Sequence, residues 1–158
     1  MPSALHVEPV ATVVGGRAKP FDDDWDAVEA VVRLDERFDP EALAGLEEFS
    51  HVEVVYVFDR VDPVGVETGA RHPRGNLDWP RVGIFAQRAK DRPNRIGIGV
   101  GRLLGVDGRD LRVAGLDAVD GTPVLDIKPV MREFLPRGAV RQPDWATELM
   151  AEYWIRNG

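Results

Sequence analysis

The chain has 158 residues, 44% hydrophobic and 30% charged, which is the balance of one globular domain with a modest core. It contains no cysteine, which excludes disulfides, thiolate metal sites and a cysteine nucleophile, and its net charge of −7 argues against a nucleic-acid partner. The N-terminal MPSALHVEPVATVV lacks the basic start and cleavage site of a signal peptide, and no stretch reaches the ~20 apolar residues of a membrane span, so the expected location is cytoplasmic and off the membrane.

The hydrophobic pattern has mostly a two-residue period, the signature of strands. A first strand is predicted over His6 to Val14, ended by Gly15-Gly16. The acidic run Asp22-Asp23-Asp24-Trp25-Asp26 reads as a loop, and the β-branched run Val28 to Leu34 as the next strand. Asp39-Pro40 has the form of a helix start, a side-chain cap followed by proline, and predicts a short helix ending near Phe49. HVEVVYVF, residues 51–58, is the clearest strand, with Val52, Val54, Tyr56 and Phe58 on one face. Residues 60–80 form a long connection rich in Pro and Gly, a length that tends to be functional or disordered. Asp107-Gly108 predicts a hairpin turn, Asp120-Gly121 a second turn, and Val124 to Val130 a further strand. Pro143-Asp144 opens a C-terminal helix over about 144–157, with Ala146, Leu149, Met150 and Tyr153 as its apolar stripe. Many short strands without β-α-β alternation predict a mainly all-β fold: a single domain built as a compact β-barrel with short helices and the C-terminal helix.

Two segments carry charges that a plain strand does not need. From Arg71 to Arg102, eight basic residues stand against Asp78 and Asp91 alone, so an anionic ligand could be held here despite the acidic total. Within this segment GIFAQRAKDRPNRIGIGVGR places Arg88, Lys90, Arg92 and Arg95 on a tight loop between two core strands. Clustered arginines can also be a solvated face. GIGVG is not a dinucleotide phosphate loop, because only five residues separate Gly101 from Asp107 and no helix fits. Those glycines let the strand bend or let something approach its backbone. The second segment, GLDAVDGTPVLDIKPV, clusters Asp117, Asp120, Asp126 and Lys128. Asp126 and Lys128 lie two apart on one face of a strand and can pair, although burying both there is expensive without partners.

With these residues laid out, GIFAQRAKDRPNRIG resembles the G-V-F-A-T-R-S-x-x-R-P-N-P-I-G motif of the TsaA/TrmO-like family. GLDAVDGTPVLDIKP resembles its G-x-D-L-x-D-G-T-P-V-x-D-I-K-P motif, FSHVEVVYVF its F-S-H strand, and RHPRGN its R-P-P-R segment. The matches run in order over about residues 5–135. The resemblance implies a β-barrel methyltransferase using S-adenosylmethionine near a homodimer interface, without a metal, acting on N6 of a threonylcarbamoylated adenosine beside the tRNA anticodon. By motif position, the implied cofactor contacts are Phe21, Asp22, Asp59, Arg60, Arg88, Ile98, Ala114, Gly115, Leu116 and Asp117. Asp126 and then Asp120 are the candidate bases for the acceptor nitrogen, and Arg92, Asn94 and Lys128 the candidate acceptor contacts. The chain departs from the pattern at Gln87 and Ala89, where hydroxyls stand, at Arg95 and Val130 in place of proline and tyrosine, and at Asp59, often histidine. Three functions fit: methylation of tRNA, methylation of a small-molecule acceptor by the same fold, and a non-catalytic nucleotide-binding module. The homodimer expectation also rests on the terminal segment, whose Trp145, Leu149, Tyr153 and Trp154 offer more apolar surface than a solvated tail needs.

Overall fold

Strands β1 (Ala11–Val14), β2 (Glu29–Leu34), β3 (His51–Val57), β6 (Ile96–Asp107), β7 (Asp110–Ala114) and β8 (Pro123–Pro129) close into an antiparallel barrel in the computed structural model, which describes residues 3–155. Their order around the barrel is β1-β2-β7-β6-β3-β8, so the last strand lies between the first and the third. A two-stranded ribbon, β4 (Ala70–Arg71) with β5 (Val82–Gly83), sits within the long connection between β3 and β6.

Alternation decides which side chains fill the barrel. In β3, Val52, Val54 and Tyr56 point inward and are at most 2% exposed, while the residues between them stay partly open. Val13, Val32, Leu111, Val113 and Val124 complete the interior from the other strands. Burying one such side chain contributes about 1.5–3 kcal/mol, and β-branched residues suit the pleat.

Several boundaries differ from the sequence expectation. β1 starts only at Ala11, and Pro9, which has no N–H for a ladder, precedes it. The hairpin turn is shifted by one residue: Asp107 pairs with Asp110, and the turn is Gly108-Arg109, with Gly108 at φ +58°. The first central position of such a turn favours glycine. Over residues 39–49 there is no continuous helix but two 3-10 turns, Pro40–Leu43 and Leu46–Glu48, split by Gly45 at φ +93°. Asp39 does cap the first of them, accepting from the amide of Glu41. The C-terminal helix spans only Asp144–Leu149 and gives way to turns over 150–153; the end of its expected range lies outside the described residues. Among the described residues no helix is long and apolar enough to cross a membrane.

Candidate functional site

The strand directions bring three connections to one end of the barrel: residues 15–28 after β1, 58–95 after β3, and 115–122 after β7. Phe21, Asp22, Asp59, Arg60, Arg88, Asp117 and Asp120 all lie on these connections, with Ala114 at the end of β7 and Ile98 near the start of β6. The 58–95 connection is pinned at its root, where the Phe58 amide donates to the Arg95 carbonyl at 2.8 Å and Arg95 Nη1 to the Val61 carbonyl at 2.7 Å. Arg60 ties all three connections together: its guanidinium donates to the carbonyls of Ala18 and Asp120. The carboxylate of Asp120 caps the amide of Gly15 at 2.8 Å.

Asp117 is the focus of this end. Tyr56, the last inward residue of β3, donates its hydroxyl to Asp117 Oδ1 at 2.8 Å and to the Asp117 carbonyl at 3.1 Å. Tyr153 donates to the other carboxylate oxygen, Oδ2. Among the described residues Asp117 forms no ion pair. Burial and the negative charge of Asp117 push both phenols well above the ordinary tyrosine range, so they remain donors, while the nearby positive charge of Arg88 opposes the rise.

The glycines of β6 make this arrangement possible. A Cβ at Gly97 would lie 2.6 Å from Tyr56 Cε2 and 2.7 Å from Phe58 Cζ, and one at Gly99 would lie 2.6 Å from Asp117 Oδ1. What approaches the strand is therefore the tyrosine ring and the carboxylate. Arg88 lies against the same stretch and donates to the Ile98 carbonyl at 3.2 Å; it is exposed, and among the described residues it makes no ion pair, with Asp117, Asp126 or any other acid.

The acidic run and the basic segment largely answer each other. Arg74 reaches Asp23 at 3.2 Å and Asp22 at 3.9 Å, Arg102 reaches Asp26 at 2.6 Å, and Arg71 reaches Asp91 at 3.0 Å. Among the described residues Arg81, Arg88 and Lys90 make no ion pair, so part of the basic segment's positive charge stays open on the 58–95 connection. Strained backbone gathers there too, with Arg74, Asn94 and Arg95 at φ between +51° and +63°. A proline cannot adopt φ +51°, so Arg95 stands where the backbone excludes the proline of the family pattern.

The other expected site residues are placed differently. Arg92 spends its guanidinium on the carbonyls of Gln87 and Ala89, inside its own loop, and Asn94 is exposed at the loop tip. Ala114 and Leu116 are buried, and the Gly115 amide donates to the Val28 carbonyl at 3.0 Å. Asp126 and Lys128 lie on the outer wall of the barrel, paired at 2.7 Å and about half to two-thirds exposed, which removes the cost of burying them. Lys128 is raised by that bond. Asp126 borders an apolar cleft of about 500 Å³ at the opposite end, lined by Val10, Leu34, Phe38 and Phe49. Tyr56 was readable as an inward residue but not as a ligand of Asp117. Tyr153 gave no local signal, since its partner lies 36 residues away.

A family profile described as the tRNA-methyltransferase O N-terminal domain matches residues 20–134. A tRNA (adenine(37)-N6)-methyltransferase of Homo sapiens is 37% identical over 116 residues, 73% of this chain and 24% of that protein. A probable S-adenosyl-L-methionine-binding protein of Pyrococcus abyssi is 40% identical over 114 residues, 72% of this chain and 59% of that one. The crystal structure of TrmO from Pseudomonas aeruginosa superposes with a TM-score of 0.72 at 31% identity, over 90% of this chain and 62% of its own. The chain thus spans about a quarter of the human relative's length and about three-fifths of the archaeal one's.

Proposed function

Because the chain belongs to the tRNA-methyltransferase O N-terminal domain family, we propose that it transfers a methyl group from S-adenosylmethionine to N6 of a modified adenosine in tRNA. The observation that carries the reading is the convergence of Asp117 and Arg88 on the Ile98–Gly99 stretch. An unpaired carboxylate beside an unpaired guanidinium matches the ammonium and carboxylate of an amino-acid moiety, and the guanidinium can bind a carboxylate with two parallel bonds. The cofactor supplies a methyl group already activated on a sulfonium. The chain's own residues have to orient, exclude water and take a proton. Asp117 fixes the ammonium, and Arg88 the carboxylate. Of the two candidate bases, Asp120 stands at this end, with one oxygen on Gly15, and Asp126 does not; Asp120 therefore takes the proton in this reading. Arg81 and Lys90, on the same connection, offer phosphate contacts that the net charge of −7 conceals.

Transfer of labelled methyl from S-adenosylmethionine to bulk tRNA tests the reading. Arg88→Lys is expected to weaken cofactor binding about tenfold or more in calorimetry, since lysine keeps the charge but not the fork, while the melting temperature of the free protein barely moves. Unchanged affinity with a lowered melting temperature would remove Arg88 from the site. Methylation of a small acceptor but not of tRNA would favour the second reading, to which the acidic total points.

The same face supports a homodimer. Ile96, Ile98 and Val100 alternate along the outer side of β6, each 41–45% exposed, opposite Val57, Val55 and Glu53 of β3. Arg88 lies along this apolar strip, so a second copy docked there covers the cofactor end. Sedimentation at micromolar concentration should give a dimer, and Ile98→Lys a monomer; a wild-type monomer would refute the proposal.

A further inference from the structure

The stretch after residue 134 lies beyond the segment that the family profile matches, and it does not trail away from the barrel. The amide of Asp24 donates to the Glu152 carbonyl at 3.1 Å, and that of Trp25 to the Tyr153 carbonyl at 2.9 Å. Trp79 Nε1 donates to Glu148 Oε2 at 2.7 Å. These bonds strap residues 144–155 onto two of the three site connections. The surface that the sequence offered to a partner subunit is thus partly spent on its own barrel: Tyr153 is half-buried, its hydroxyl on Asp117 Oδ2.

We propose that Tyr153 is a positioning residue of the cofactor site, acting through Asp117, and that the strap carrying it is the outer wall of that site. The proposal rests on the methyltransferase reading above. A carboxylate rotates about its last bond with little hindrance. Tyr56 alone holds one oxygen and leaves that rotation open; Tyr153 on the second oxygen closes it. The chemical nature of the two donors matters as much as their number. A lysine or arginine at either position would orient Asp117 and also neutralise it. Neutral phenols orient the carboxylate and leave its full negative charge for a cationic group, which here is the ammonium of the cofactor's amino-acid moiety. Burial and the carboxylate itself keep both phenols protonated, so neither donor is lost near neutral pH.

Tyr153→Phe removes one oxygen and keeps the ring, which packs edge-on against Trp154 at 4.8 Å. In calorimetry on the full chain, the variant is expected to bind S-adenosylmethionine and S-adenosylhomocysteine at least about tenfold more weakly than wild type. Adding Tyr153→Phe to Asp117→Asn should weaken binding no further, because the tyrosine acts through the carboxylate. Wild-type affinity in Tyr153→Phe, or additive losses in the double variant, overturns the proposal and leaves the methyltransferase reading standing. A wild-type chain that binds neither compound overturns both. Hydrogen exchange on the wild type tests the same coupling without any variant. Bound S-adenosylmethionine should slow exchange at the amides of Asp24 and Trp25, whose acceptors are carbonyls of the strap. Unchanged exchange at those amides under saturating ligand overturns the proposal.

Discussion

Gly97→Ala is expected to lower the melting temperature by roughly 2–12 °C, although it adds a single methyl group. The new Cβ would stand 2.6 and 2.9 Å from two atoms of the Tyr56 ring and 2.7 Å from Phe58 Cζ. Neither ring can yield cheaply. They contact each other edge to face, with centroids 5.4 Å apart, and Tyr56 is only 2% exposed, with its hydroxyl fixed to Asp117. Overpacking of this kind costs about 1–3 kcal/mol, and in a chain of this size each kcal/mol moves the midpoint by about 2–4 °C. If Tyr56 moves to relieve the contact, Asp117 loses one of its two donors, so the affinity for S-adenosylmethionine should fall as well. Gly65→Ala is the control, because nothing lies within 4 Å of its Cβ and its backbone has no positive φ. Equal melting of Gly97→Ala and wild type would show that the β6 glycines are not required by the rings beside them.

The second large effect is expected at alkaline pH. The chain has two tyrosines, and both donate to Asp117. Burial and the carboxylate's charge raise both above their ordinary value near 10. A group raised in the folded state stabilises the fold fully below its unfolded pKa and loses that contribution as the pH climbs above it. Each tyrosine should therefore remove about 1.4 kcal/mol of stability per pH unit above roughly 10, and the pair about twice that. Tyrosinate absorbance should stay flat through pH 10 and then rise in one step, coincident with loss of the far-ultraviolet strand signal. A tyrosine that ionises near pH 10 while the barrel is intact would contradict the hydrogen bonds to Asp117. Tyr153→Phe should reduce the amplitude of the step by half.

The sequence makes the barrel legible because a strand with one wet face writes its burial every second residue, as β3 does with Val52, Val54 and Tyr56. Lengths and turns are less legible. Gly45 divides what the Asp39-Pro40 cap predicts as one helix, since a positive φ interrupts the helical bonds. The one-residue shift of the hairpin turn has a similar origin: Asp107-Gly108 and Gly108-Arg109 are both acceptable turns, and strand pairing decides between them. For Asp126 and Lys128, period two says that they share a face but not that the face is the outer wall. The end that gathers Arg88, Asp117 and Asp120 is legible only through motif resemblance, because its residues come from three connections that local pattern does not relate. Tyr153 fell outside even that, beyond the matched segment, where an aromatic in an apolar stripe looks like any other.

The pairing of β8 with both β1 and β3 also bears on how the protein is made. β1 with β2 and β6 with β7 are the seams closed by short connections; the others, β3 with β6 included, close loops of more than thirty residues, the slow kind of contact. A nascent chain that has not yet emerged past Pro129 leaves β1 and β3 each with an unpaired edge, open to other chains on a crowded ribosome. The same late strand anchors the 115–122 connection, so Asp117 and Asp120 reach their partners only as the barrel shuts. The Asp117 cluster therefore assembles in one event, once β8 and the strap behind it are both in place.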